Sequence, residues 1–450
     1  MLHIRKKLMQ PSFLYLFTDV FVKGLQFFLM PIASHILDVE TYGSFVLCLV
    51  LLTSLVPLIS LSSESSYSIF YNQSHDDDKN RLFVNSIHVA FTGYLLFTLV
   101  TLILSIINDN LLFEMISLKS HITKMCAIVF FEYFINITLL SYRLSFKKIA
   151  YVKVYLGYFF IKFISAIISI YLFKSINHYL NTILALNFII SVAIVSKQFG
   201  LVVFFKELKI FDTAKYLKIT KYCIVILPVS VFAIINAMVD KIYITSLLSM
   251  QDLANYSSIF LIAGSIQIII LAMNKSYMPK LLYHYAAEGY SAIHRMKEET
   301  VKLMLINFTV FIICILLLPI MFRLVFDSNI EFNYAVFIVL SLSFLSNTLY
   351  ILFTNILSLE EKTGKYKMFG FVSALIINIP LGYLLTLEYG VLGSAFSTML
   401  SGLSAAIILF AFVSCKVLKA YLLRESCYFL FGAIAVSASA VYINNHYHIY

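Results

Sequence analysis

The chain has 450 residues, of which 61% are apolar and 12% charged. A water-facing globule carries about a quarter charged residues, so a soluble protein is excluded. The net charge of +10 is not a nucleic-acid footprint, because the basic residues sit in short gaps between apolar runs, as in loops facing a cytoplasmic leaflet.

Runs long enough to cross ~30 Å of hydrocarbon are predicted near 13–33, 43–62, 83–106, 125–141, 154–173 and 179–196. A second series follows near 222–246, 254–274, 303–322, 332–356, 368–386 and 389–413, with one further, shorter run at 427–443. Arg5, Lys6 and Lys7 precede the first run, and no small-residue cleavage site follows it, so it reads as a retained span. With the N-terminus inside, 26 of the 33 Lys and Arg residues fall in inside gaps and four (Lys119, Lys124, Lys174 and Arg323) outside. That asymmetry sets the expected orientation.

The inside gap 197–221 mixes lysines with Leu, Ile and Phe and is expected to form an interfacial amphipathic connector. It divides the chain into an N-terminal six-helix lobe (1–196) and a C-terminal lobe (222–450) of six helices plus a possible thirteenth. An internal echo supports this division: Leu37 to Phe45 and Leu248 to Phe260 each place an acidic residue, a tyrosine and small residues at a helix start. The two tyrosines, Tyr42 and Tyr256, are 214 positions apart. The expected fold is therefore all-α, with two six-helix lobes forming a parallel repeat around a central cavity.

Six charged residues fall within spans: Asp19, Lys23, Glu132, Lys162, Asp240 and Lys241. Each is expensive in hydrocarbon and so invites a functional reading. Asp19, Lys23 and Gln26 share one face of the first helix, Glu132 and Asn136 one face of the fourth, and Asn236 and Asp240 one face of the seventh. Two readings stay open. In one, Asp19 and Lys23 neutralise each other and the rest cap or glue helices. In the other, Lys23 and Lys162, with Gln26 and Asn136, hold an anionic cargo, while Asp19 or Glu132 exchanges a proton or sodium ion. Lys162 has no carboxylate adjacent in sequence. Asp240 and Lys241 lie near the outer end of their span, where snorkelling to water is easy, so a structural or gate role with Asn236 is expected. Pro57 and Pro228 are the best hinge positions.

Catalytic motifs are absent, with no P-loop, HExxH, GxSxG or GxGxxG. No metal or cofactor is expected. The six cysteines lie in or at the ends of apolar runs without CxxC spacing and read as packing residues. Asp38 and Glu40 are similar to the acidic pair of lipid-dependent membrane glycosyltransferases, but the short outside loops leave no domain to hold an acceptor.

Lys23-Gly24, Pro31 and the turn Ile36 to Gly43 open a series of motifs. Leu227-Pro228, Asp240-Lys241, Tyr256, Glu361-Lys362-Thr363, Asn378 and Gly390 to Thr398 continue it. In order and spacing the chain resembles the polysaccharide repeat-unit flippases (Wzx type) of the multidrug/oligosaccharidyl-lipid/polysaccharide exporter superfamily. It departs from them in having Ile379-Pro380-Leu381-Gly382 where a second asparagine often follows, and in its thirteenth run. The resemblance implies alternating access in a bacterial inner membrane, with the N-terminus cytoplasmic and no enzymatic step. The implied cargo is an undecaprenyl-pyrophosphate oligosaccharide, flipped to the outer leaflet for O-antigen (lipopolysaccharide), capsule or exopolysaccharide assembly. Implied partners are membrane lipids and the polysaccharide polymerase and chain-length machinery, with no nucleic acid. The rival readings are a cation-coupled drug or metabolite antiporter of the same architecture and a membrane glycan polymerase or glycosyltransferase.

Overall fold

The computed structural model describes residues 11–71, 76–107, 121–199, 212–289, 293–359, 366–416 and 423–447. Every long element among them is helical. In chain order these are α1 (Pro11–Ser34), α2 (Val39–Ile59), α3 (Ser63–Tyr71), α4 (Asp76–Ile107), α5 (Ile122–Leu144), α6 (Lys148–Phe173) and α7 (Ile176–Phe199). They continue as α8 (Thr213–Leu247), α9 (Met250–Glu288), α10 (Ile293–Val325), α11 (Tyr334–Leu357), α12 (Lys367–Lys416) and α13 (Leu423–Tyr447). Eleven helices among the described residues are long and apolar enough to cross a membrane, and Phe21–Ser34 is a shorter apolar one. The thirteenth run is one of the eleven.

The faces these helices leave uncovered are apolar. Leu95, Leu99 and Leu102 form one such stripe on α4, and Leu316, Ile320 and Leu324 another on α10. Spacings of three and four residues put each set on one helix face. Stripes of this kind suit contact with lipid, and the chain is a multi-pass membrane protein.

The chain divides into two compact units, Met1–Val231 and Phe232–Tyr450. In the first, α5 packs against α2, α4, α6 and α7, and α1 packs on α6. In the second, α11 packs against α9, α10, α12 and α13. α11 is buried on nearly every side, which its Ser341, Ser343, Ser346 and Thr348 permit because small residues let backbones approach closely.

α12 is a hairpin rather than one long rod. Gly390 (φ 59°, ψ −139°) breaks the helix, and Gly393 lies so close that a Cβ there would fall 1.8 Å from Leu385 O. The two arms are therefore the separate crossings expected at 368–386 and 389–413.

Two local expectations change. The boundary between the two compact units falls after Val231, within α8 and three residues past Pro228. Residues 200–211 of the expected connector lie outside the described residues, while its end, from Thr213, continues without a break into the seventh span. The inside gap 275–302 is largely an extension of α9 to Glu288 and of α10 from Ile293. The second span ends at Ile59, close to the expected 62. After Pro57 the helix stops, Leu61 and Ser62 take positive φ (48° and 56°), and α3 resumes. Ser63 Oγ lies 2.6 Å from Tyr133 Oη, and Tyr133 stands at the middle of α5. α3 therefore begins beside Tyr133, after an α2 that is by itself long and apolar enough to cross a membrane.

Candidate functional site

In the first unit, α5 and α6 bring Glu132 and Lys162 together. Lys162 Nζ donates to Glu132 Oε1 at 2.8 Å and to Oε2 at 2.9 Å. The two side chains are 17% and 21% exposed. Lys162 is thus not a free cation, because a carboxylate from the neighbouring helix clamps it. Sequence distance hid this partner thirty residues away. The ammonium also lies 5.4 Å from the Tyr158 ring centroid and 5.7 Å from that of Phe159, a cation–π environment. Tyr158 donates to Asn187 Oδ1 at 2.9 Å, and Asn187 donates to Ile128 O at 3.2 Å, which ties α6, α7 and α5 around the pair.

The pair opens onto a cavity of about 230 Å³. Gln26, Thr53, Phe159 and Tyr179 line it with Glu132 and Lys162. Helices α1, α2, α5, α6 and α7 thus supply an ion pair, an amide, a hydroxyl and aromatic faces to one concavity. Asn136, one turn along α5, is half-buried and off the cavity wall, and Lys23 is exposed and also off it. Gln26 therefore lines this cavity and Lys23 does not, although they share a helix. The Asp19 side chain lies outside what the structure describes.

In the second unit a polar node joins α8, α9 and the α12 hairpin. Asp240 and Lys241 are 2% and 5% exposed, so neither snorkels to water. Lys241 Nζ instead bonds Asp240 Oδ1 at 3.2 Å and Ala237 O at 3.2 Å and lies 4.2 Å from the Phe260 centroid. Tyr256 donates to Asp240 Oδ2 at 2.7 Å. One turn away, Asn378 Nδ2 donates to Asn236 Oδ1 at 3.0 Å, and Ser397 donates to Asn378 Oδ1 at 3.1 Å. The carboxylate is already matched by its own ammonium, so the node has no net charge to offer an ion. It reads as a clasp between helices.

The hinge positions differ from each other. Pro57 sits just ahead of the break at 60–62, whereas Pro228 is an exposed position inside the uninterrupted α8. Glu64, in the first turn of α3, escaped the sequence reading because the second apolar run was closed at 62. Among the described residues, no group of three or more His, Cys, Asp or Glu is placed to hold a metal ion.

Each of the two units of this multi-pass helical protein thus carries an ion pair within its helices, partly exposed in the first and buried in the second. Solved structures share the fold. The lipid II flippase MurJ, in an inward-closed conformation, superposes with a TM-score of 0.60 at 14% identity, over 97% of this chain and 98% of that one. An inward-facing multidrug-resistance MATE-family transporter of the MOP superfamily gives 0.66 at 11% identity, over 92% and 94%. The eukaryotic MATE transporter AtDTX14 gives 0.57 at 12% identity, over 93% and 95%. No family model matches the sequence, and no curated protein sequence matches it.

Proposed function

We propose that this protein is a transporter that flips an undecaprenyl-pyrophosphate-linked oligosaccharide across a bacterial inner membrane by alternating access, for O-antigen, capsule or exopolysaccharide assembly. The observation that carries the reading is the Lys162 ammonium on the wall of the first unit's cavity, held there by Glu132. The fold shared with a lipid II flippase supports it.

A pyrophosphate brings more than one negative charge and several acceptor oxygens, so it competes well with a single carboxylate for Lys162. Glu132 pre-positions the ammonium, and the cargo then takes its N–H donors. Gln26, Thr53 and Tyr179 offer neutral polar groups of the kind that suit sugar hydroxyls. The isoprenoid tail stays in lipid. The polymerase and chain-length machinery are the partners this reading expects.

The fold shared with MATE transporters favours a second reading, cation-coupled drug or metabolite antiport, with Glu132 as the acceptor. An organic monocation would have to displace an ammonium tethered beside the carboxylate, at high effective concentration and with no charge advantage. The anionic cargo is therefore preferred.

The test is flipping of a fluorescent undecaprenyl-pyrophosphate oligosaccharide in proteoliposomes, read by its accessibility to an impermeant quencher, with a parallel panel of cationic drugs. Flipping by the wild type, lost in Lys162→Met/Glu132→Gln, supports the proposal. Drug movement without lipid flipping would transfer the assignment to the antiporter reading.

A further inference from the structure

α10 and α13 lie side by side and run in the same direction. Near their first residues Lys297 Nζ is 2.7 Å from Glu425 Oε1, and further along the rings of Phe308 and Phe429 are 6.1 Å apart. The membrane-crossing parts of both helices begin at this end, at His294 and Leu423. The seam between them stays open and holds a slot of about 280 Å³. The buried Met304 and Phe429 line its inner side, and Leu305 and Tyr428, 61% and 63% exposed, line its rim. The slot therefore opens on an uncovered apolar face of the second unit. It runs from Glu425 to Gly432, seven residues of helix or about 10 Å.

One end of the slot is charged and the rest is apolar. Lys297 and Glu425 cancel each other. On α10, Arg295 is paired with Glu288 and Lys302 with Glu299. Arg424 is the charge left over. Its Nε donates to Tyr428 Oη at 3.2 Å, its guanidinium lies 5.4 Å from the Tyr428 ring centroid, and among the described residues it forms no ion pair. That tether fixes the guanidinium at the mouth of the slot and uses one of its five N–H donors.

We propose that this seam binds an anionic phospholipid, with the phosphodiester on Arg424 and the first part of one acyl chain in the slot. An apolar slot open to a bilayer takes up hydrocarbon, because bare lining atoms forgo dispersion contacts. Charge then selects the headgroup. One unmatched cation calls for one net negative charge, which phosphatidylglycerol carries and phosphatidylcholine does not. A guanidinium is also the cation best shaped for phosphate, with paired N–H donors. A free phosphate would satisfy Arg424 but leave the slot unfilled, so the apolar length beneath the guanidinium favours the lipid. The site needs no cargo and does not depend on the transport reading.

The experiment is native mass spectrometry of the full chain in mild detergent, titrated with phosphatidylglycerol or with phosphatidylcholine of identical acyl chains. The wild type should bind phosphatidylglycerol about tenfold more tightly, the worth of one charge-assisted contact. Arg424→Gln, at an exposed position, should bind the two lipids alike. Val301→Phe, which fills the slot, should weaken both. Equal wild-type affinity for the two lipids, or a preference retained in Arg424→Gln, overturns the site. Undiminished binding by Val301→Phe overturns the seat of the acyl chain. Thermal melting gives a second measurement: phosphatidylglycerol should raise the wild-type melting temperature, and inorganic phosphate at the same concentration should not. An equal rise with phosphate would make this a free-anion site, and dimers forming in place of lipid adducts would give the seam to a second copy of the chain; either overturns the proposal.

Discussion

Lys241 folds back onto its own chain neighbour, with its ammonium 3.2 Å from Asp240 Oδ1. Adjacent helix residues diverge by about 100°, so this geometry needs outside help. Phe260 supplies a ring face beneath the ammonium, and Tyr256 holds the other carboxylate oxygen. Both come from α9, so the pair fastens α8 to its neighbour.

The clasp predicts strong non-additivity. Asp240→Asn or Lys241→Met alone leaves one buried charge uncompensated and should cost about 3–5 kcal/mol. The double variant should recover most of that loss. Thermal unfolding in detergent, arranged as a double-mutant cycle, measures it. Additive losses would show that the ion pair does not hold these helices together.

The Glu132–Lys162 pair should behave differently. Lys162→Met alone strands Glu132 and should lower the amount of folded protein, while Lys162→Met/Glu132→Gln restores stability without restoring flipping. Quantifying folded protein by size-exclusion chromatography beside the liposome assay separates the two effects. A double variant that flips at the wild-type rate would remove Lys162 from cargo binding.

The α12 hairpin depends on a missing side chain. Gly393→Ala drives a methyl group into the Leu385 carbonyl, a backbone atom that cannot rotate away, and should cost about 3 kcal/mol or more. Gly370→Ala meets only side-chain atoms of Leu409 and Tyr350, at 3.1–3.2 Å, and should be tolerated better. Comparing their melting temperatures is the check, and equal effects would mean that the hairpin turn yields readily.

Asp38 caps α2, its carboxylate accepting from Thr41 N at 3.0 Å. That backbone N–H, with the Thr41 hydroxyl, holds the carboxyl below its ordinary value of 3.8. The cap's contribution is therefore present above that value and is lost as pH falls through the lower folded one. Asp38→Ala should cost about 1 kcal/mol at neutral pH. Asp38→Ser should keep most of the cap while removing this acid dependence, which melting curves from neutral pH to below 4 would reveal.

The run lengths by themselves determined where the helices fall, because a bilayer admits only segments that are long, apolar and internally hydrogen-bonded. They also separated the spans 368–386 and 389–413 beside Gly390, where the α12 hairpin turns. Only the tertiary structure decided which charges meet. Glu132 and Lys162 are thirty residues apart and on different helices, so periodicity along either helix cannot reveal their pairing. Packing likewise decided that Lys241 stays buried beneath Phe260 instead of reaching water. Local sequence sets the length and ends of a helix, but the partner of a buried charge is chosen by which helix packs beside it.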